Sequence, residues 1–412
     1  MQKTTMAFAV VAGNLMLPTT TRADTITLQV ALDRASRRPS IEIAELDVDA
    51  ARAVARGATV PLYNPELSAG AGPQFGAGSP EVQIQVALSQ TIERGGKREA
   101  RTQLADAQVR GAAITKSGEL LRARIEAWQA FEHALIMRDR LETRREVERL
   151  ALALVESMQK AAQAGGSTRL RVNLVVADAG RATQERIAAE TAYGTALAQL
   201  ATAIGAGPKE QLDPVGAVPE LASLSQTPDE LVTLALRGNP DVLAAQSSSL
   251  VARARIADAD ARGTVDLTLG IAYDYAPDPS GAHALLGTFS FPLAFRNRNQ
   301  GERAATRVGA KRAEIELSLV RTETEREVLT AVANYQRSRT AVSGFDREVT
   351  DKLNENLAAA QDAFIKGGLE LVELTTTQRN LIESRLAYFD ARLALVDAWA
   401  TLALITTMEV AP

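Results

Sequence analysis

The chain is written twice, and this repetition limits what it can fold into more than any other feature. Residues 30–57, VALDRASRRPSIEIAELDVDAARAVARG, resemble residues 231–263, LVTLALRGNPDVLAAQSSSLVARARIADADARG. Each has a short helical lead, a proline (Pro39, Pro240) and a second helical run. Two strand-like segments follow in each half. Next comes a junction into a long helical stretch, LSQTIERGGKREARTQLADA at 88–107 and FPLAFRNRNQGERA at 291–304. Each long stretch breaks at a glycine pair, Gly165 with Gly166 and Gly367 with Gly368, and a last helix closes each half near Ile204 and Ile405. The repeat predicts two copies of helix, two strands, long helix, glycine turn, long helix. The first copy takes residues 24–204 and the second 229–407. Residues 205–228 are rich in Gly and Pro, a composition that reads as a linker, and 408–412 remain as a tail.

The helices carry an apolar seam. Ile382, Leu386, Phe389, Leu393, Val396, Ala400 and Ala403 step by four and three. Ile114, Leu121, Ile125, Trp128 and Leu135 follow the same spacing, as do Val328, Val332, Tyr335 and Val342. Such a seam supercoils against a neighbour. At 1.5 Å per residue, a helix over 98–164 runs about 100 Å. No single globular domain covers that length, so it needs partners along it. Aromatic residues make up only 4% of the chain, which fits long, closely packed helices and not a bulky core.

The strands alternate. In EVQIQVALSQTIE, Val82, Ile84, Val86, Leu88 and Ile92 share one face, and Gln83, Gln85, Ser89, Thr91 and Glu93 the other. Val265, Leu267, Leu269, Ile271, Tyr273 and Tyr275 oppose Asp266, Thr268 and Asp274. In HALLGTFSFPLAF, Leu285, Phe289, Phe291, Leu293 and Phe295 face one way. PELSAGAGPQF is weaker and glycine-rich. The pattern suits an outer-membrane barrel and equally an ordinary half-buried sheet. A single-chain barrel needs at least about eight strands, and four would leave unpaired edges in lipid. Either the sheet lies outside a membrane or several chains share one barrel. The long amphipathic helices favour sharing.

The first 23 residues read as an export signal, with Lys3, the short apolar run MAFAVVAGNLMLP and a small residue, Ala23, at the cleavage point. No later run reaches the eighteen apolar residues of a transmembrane helix. There is no cysteine, so disulfides, thiolate metal sites, a cysteine nucleophile and a lipid anchor on cysteine are not expected. A formal net charge of −4 argues against nucleic acid as a partner.

On these residues the chain resembles the TolC family of outer membrane factors. LSQTIERGGKREAR and FSFPLAFRNRNQGERA are similar to the strand-to-helix signatures of its CzcC-like branch, which serves heavy-metal efflux by pumps of the resistance-nodulation-division type. The resemblance implies a mainly α protein with a small β part. It implies a homotrimer in which four antiparallel strands per chain build a twelve-stranded transmembrane β-barrel in outer membrane lipid. The helices then build a long coiled-coil α-helical barrel projecting into the periplasm. It also implies two partners, a periplasmic adaptor protein and an inner-membrane RND pump, and passive conduction of divalent heavy-metal cations. A duct for drugs or for type I protein secretion is the alternative within the family. A periplasmic coiled-coil scaffold without a channel is the alternative outside it. Two departures are visible: no cysteine for a lipid anchor, and few residues after the last helix, which predicts a small equatorial region.

The barrel–tunnel junction falls on Arg94, Gly95, Gly96, Lys97 and Arg98 in the first half, and on Arg296, Asn297, Arg298, Asn299, Gln300 and Gly301 in the second. RGGKRE lacks the first glycine and the Ser or Thr of a phosphate-binding loop. Lys97, Arg98, Arg101, Arg296, Arg298 and Arg303 lie where strands would leave lipid. They can meet headgroup phosphates, or they are the solvated starts of helices. His133, mid-helix, and His283, in the loop PDPSGAHA, have no metal-spaced partner. No resident metal, cofactor or catalytic site is expected, because a duct that binds its ion tightly slows it. Glu323, Glu325 and Glu327 read as a solvated face, and nothing forms a catalytic constellation, so the chain reads as a non-enzyme.

The glycine pairs supply the left-handed turns of helix reversals. In the resemblance they form the periplasmic tip. Glu373, with Glu370, takes the position of the acidic residues that narrow the tunnel, and Arg171, with Arg169, stands at the matching place in the first copy. Arg–Glu contacts between neighbouring hairpins would then hold a resting gate. Gly165, Gly166, Leu170, Val172, Gly367, Gly368, Leu369, Leu371 and Val372 are the expected adaptor-contact tips; ordinary hairpin packing is the competing reading.

Overall fold

The computed structural model describes residues 24–74, 81–276, 282–345 and 353–408. The residues of the export signal and the last four of the tail lie outside these. The first half runs β1 (Asp24–Ile26), α1 (Leu28–Ala35), α2 (Pro39–Ala58), β2 (Glu66–Gln74), β3 (Glu81–Ile92), α3 (Lys97–Gln163) and α4 (Arg169–Ala203). After β4 (Leu212–Pro214) come α5 (Pro228–Gly238), α6 (Pro240–Arg262), β5 (Leu267–Ala276), β6 (Ala282–Ser290), α7 (Gln300–Ser343), α8 (Leu353–Ile365) and α9 (Leu371–Thr406).

Prolines start the short helices. Pro39, Pro228 and Pro240 stand at first-turn positions, where a missing N–H leaves no bond unmade. Thr227 caps α5 in a full capping box with Glu230. Helix α6 packs closely on the long helix α3 because small residues face one another. A Cβ added to Gly118 would meet Pro240 at 2.9 Å, and one added to Gly111 would meet Ser247 at 2.9 Å.

Helix α3 is unbroken for 67 residues, or about 100 Å at the standard rise. Ile125, Trp128, Phe131 and Leu135 on α3 pack with Phe389, Val396, Ala400 and Ala403 on α9, so the seams of the two halves close on each other. Val328, Val332 and Tyr335 of α7 form a second core with Leu231 and Leu402. A third core lies at the far end of the helices, where Leu154, Met158 and Val175 meet Leu374.

The sheet order is β2-β3-β5-β6, all antiparallel. Its middle joint, β3 to β5, pairs Leu88 with Ile271 and Ile92 with Leu267, and so joins the two halves.

Four expectations change. The apolar pattern 283–295 is not one strand: β6 ends at Ser290, two residues before Pro292, which has no N–H for a ladder. The second long helix is not continuous to Gly367, since α7 stops at Ser343 with Gly344 as its cap and α8 follows. His283 is on β6 and not in a loop; its Nδ1 lies 2.6 Å from the Tyr273 hydroxyl. The linker also holds more than loop, for β4 pairs in parallel with β1.

Candidate functional site

Three surfaces stand out. The first is one face of the sheet. Leu67, Ile84, Val86, Leu88, Leu269, Ile271, Tyr273, Leu285 and Phe289 share it by register. All are exposed, with Leu285 at 76% and Phe289 at 73%. A contiguous apolar face of this kind is an interaction surface, not a soluble one. The opposite face carries Ser68, Gln85, Ser89, Thr91, Thr268 and Thr288, and the Thr91 and Thr268 hydroxyls bond at 2.8 Å. The outer edges of β2 and β6 have no partner strand among the described residues.

The second surface lies where the sheet passes into the long helices. Gly95 and Gly96 both adopt positive φ, at 72° and 71°, and turn the chain from β3 into α3. Gly95 must be glycine, because a Cβ there would lie 2.4 Å from the Thr264 hydroxyl. Lys97 Nζ reaches Asp266 Oδ1 at 2.8 Å, and both side chains are largely buried. Asp266 also accepts from the Arg94 amide at 3.1 Å and the Tyr63 hydroxyl at 3.1 Å. Burial works to raise the Asp266 carboxyl, but these bonds outweigh it and hold it below its ordinary value. Arg101 bonds Glu93 at 2.6 Å and the carbonyls of Ala58 and Val60, and its guanidinium holds Glu93 low.

The second-half junction is built differently. Asn299 takes a positive φ of 60° and caps α7, its side-chain amide donating to Ala259 O and Glu302. Asn297 accepts from the Asn299 amide at 3.0 Å, and Gln300 accepts from the Arg298 amide and donates to Arg296 O. Gly301 is exposed. Arg303 closes on Asp260. Lys97, Arg101 and Arg303 are thus committed to carboxylates within the protein. Arg98, Arg296 and Arg298 are exposed, and no ion pair binds them among the described residues. The sequence places Glu93 and Asp266 on the polar faces of their strands but gives no partner for either, and Asp260 lies in an ordinary helical run. The one signal was a charge at the foot of an apolar strand, level with Lys97.

The third surface is the hairpin tip. Both glycine pairs fold identically. Gly165 and Gly367 have φ of 78° and 77°. Gly166 N bonds Ala161 O and Gly165 N bonds Ala162 O; Gly368 and Gly367 repeat this with Ala363 and Phe364. This is the Schellman arrangement. The third core brings both turns to one end of the molecule, with Val172 and Leu369 packed on it, while Leu170 is 68% exposed. The side chains of Leu371 and Val372 lie outside the described residues. Arg169, Arg171, Glu370 and Glu373 are all exposed, and no ion pair joins them within one chain among the described residues. Above the tip, a cavity of about 180 Å³ separates α3, α4 and α9, and Arg144 and Glu185 pair across its wall at 2.6 Å.

Among the described residues no helix is long and apolar enough to cross a membrane, and no three His, Asp or Glu gather as metal ligands. His133 instead meets Asp397 at 2.7 Å.

The chain matches the sequence pattern of outer membrane efflux proteins over residues 31–206 and again over 231–407. It is 25% identical over 307 residues to the cobalt-zinc-cadmium resistance protein CzcC of Cupriavidus metallidurans, covering 72% of this chain and 70% of that one. Its fold matches a membrane protein from Pseudomonas aeruginosa, with a TM-score of 0.75 at 21% identity, over 92% of this chain and 93% of that one. It also matches the outer membrane protein VceC of Vibrio cholerae, with a TM-score of 0.72 at 17% identity, over 92% and 95%.

Proposed function

Because the chain belongs to the outer membrane efflux protein family, we propose that three copies close into a passive exit duct for divalent heavy-metal cations in the bacterial outer membrane. The observation that carries this is the sheet. It exposes a continuous apolar face and leaves two edges open, which lipid permits only in a closed barrel. Three chains of four strands satisfy the minimum for closure. The exposed face then meets lipid, the polar face lines a channel, and the helices extend the wall into the periplasm.

The metal cargo rests on the likeness to CzcC. Energy for transport comes from an inner-membrane RND pump, coupled through a periplasmic adaptor. The glycine turns with Leu170 form the adaptor contact. Glu370 and Glu373 draw cations toward the tip by long-range attraction, and Arg169 and Arg171 of a neighbouring hairpin hold them while the duct rests. The two repeats, 24–204 and 229–407, each supply one hairpin to that tip, and the two junctions set the shoulder between barrel and tunnel.

Purified protein in planar bilayers tests this reading. A trimer that conducts monovalent and divalent cations supports it. A monomer or a non-conducting oligomer overturns the duct. Unchanged cobalt, zinc and cadmium tolerance in a deletion strain overturns the cargo.

A further inference from the structure

Residues 214–222 cross the waist of the bundle as a strap, held by side chains from three helices. Arg138 of α3 donates to Pro214 O at 2.9 Å and to Gly216 O at 3.4 Å. Arg392 of α9 donates to Val218 O at 2.9 Å, and Tyr335 of α7 to Ala222 O at 2.5 Å. Val218 packs on the first core, and Leu221 on both the first and the second.

The middle clasp differs from the other two. Arg392 acts electrostatically on Glu132, which stands on α3 beside Phe131 of that core. Glu132 is 1% exposed, and its Oε2 has no hydrogen-bond partner. Buried carboxylates without donors persist as neutral acids. Burial raises this one to about 7, against the pull of Arg392. Arg392 is the cation that opposes this burial. The charged groups of the elements packed on this part of α3 are paired elsewhere: His133 and Gln129 hold Asp397, Arg140 holds Asp390, Arg34 of α1 closes on Glu210, and Glu220 on the strap is itself partnered.

We propose that Glu132 and Arg392 form a proton-operated clasp on the strap. While Glu132 is neutral, Arg392 holds the Val218 carbonyl and stacks 5.6 Å from the Tyr388 ring, as in the structure. When Glu132 loses its proton, the buried anion requires a donor, and Arg392 is the cation acting on it. The guanidinium turns to the carboxylate and leaves Val218. The strap keeps its outer clasps and loosens in the middle.

The absence of native cysteine permits a direct test. An Ala217→Cys variant of the full chain, labelled with bimane, is titrated from about pH 5 to about pH 9 while iodide quenching is read. Quenching is expected to rise severalfold with a midpoint near 7. Adding Glu132→Gln keeps quenching low throughout, and adding Arg392→Gln keeps it high throughout. A flat profile in the Ala217→Cys parent overturns the clasp, as does an unchanged midpoint in either added variant. If Glu132→Gln does not fold, the Arg392→Gln profile alone decides.

Discussion

Lys97 Nζ stands 2.8 Å from Asp266 Oδ1, so the carboxylate that opens the second half's first strand fastens the foot of the first half's long helix. Asp266 gathers an ammonium, a backbone amide and a phenol at one point. Asp266→Asn leaves a largely buried lysine side chain without its counter-charge and should lower stability by about 2 kcal/mol. Since the folded carboxyl sits below its ordinary value, its contribution is present above that ordinary value and is lost as pH falls through the folded one. Thermal unfolding in detergent at pH 7 and near pH 3 should show a smaller acid loss in Asp266→Asn than in the unaltered chain.

Gly95 tests the same joint sterically. With φ at 72° and Thr264 at 2.4 Å from an added Cβ, Gly95→Ala suffers both strain and collision. It should cost about 2 kcal/mol or more, within the usual range for strain plus overpacking. Thr264→Gly removes only the collision. The double variant should therefore recover part of the loss, and a double-mutant cycle by denaturant unfolding would measure the coupling.

The turns at the tip predict a contrast. A Cβ on Gly165 or Gly367 meets nothing within 4 Å, so substitution there is penalised by φ alone. Gly367→Asn should be milder than Gly367→Val by about 1 kcal/mol. Equal melting temperatures for the two would contradict it.

What the sequence disclosed was mostly local. Periodicity placed the long helix at 98–164 and the structure has it at Lys97–Gln163. The seam residues Phe389, Val396, Ala400 and Ala403 are buried as spaced. Alternation sorted the sheet faces because side-chain direction in a strand has a period of two residues. Long-range pairings left no such trace. Nothing local in VDLTL ties Asp266 to Lys97, which precedes it by most of a repeat. Gly344 lies in helical composition, and one glycine in such a run is no reliable stop. Pro292 is legible in the sequence as a mark near the strand's end, and β6 ends two residues before it at Ser290. Glu132 stands in a mostly apolar helical run beside Phe131 and Ala134, yet nothing local says that its carboxylate is 1% exposed with Oε2 left without a partner.

Glu132 has a consequence for stability apart from the strap. Its folded value is raised from 4.5 to about 7, so its contribution is full below the ordinary value and lost as pH rises through the folded one. The span corresponds to about 3 kcal/mol. Glu132→Gln keeps the shape and removes the titration. Its advantage over the parent chain in thermal unfolding should grow between pH 5 and pH 8, and a constant difference would refute the assignment.

For the tip, Glu373→Gln and Arg171→Glu should change single-channel conductance and cation selectivity while leaving melting temperature unaltered. The groups are exposed, and exposed pairs contribute about 0–1 kcal/mol each. Identical conductance in both variants would remove these residues from any gate.

The β3–β5 ladder carries one more implication. Within each half the strands stand as first and second, so the internal joint couples a second strand to a first. A ring of copies would couple β6 to the next chain's β2, again second to first, with the antiparallel alternation kept. Covalent and non-covalent seams then become equivalent, and the architecture is a hexamer of half-chains. The Leu88–Ile271 register thus serves as a template for aligning strands across subunits, and disulfide crosslinks designed on it would read out the geometry of the seam that no single chain contains.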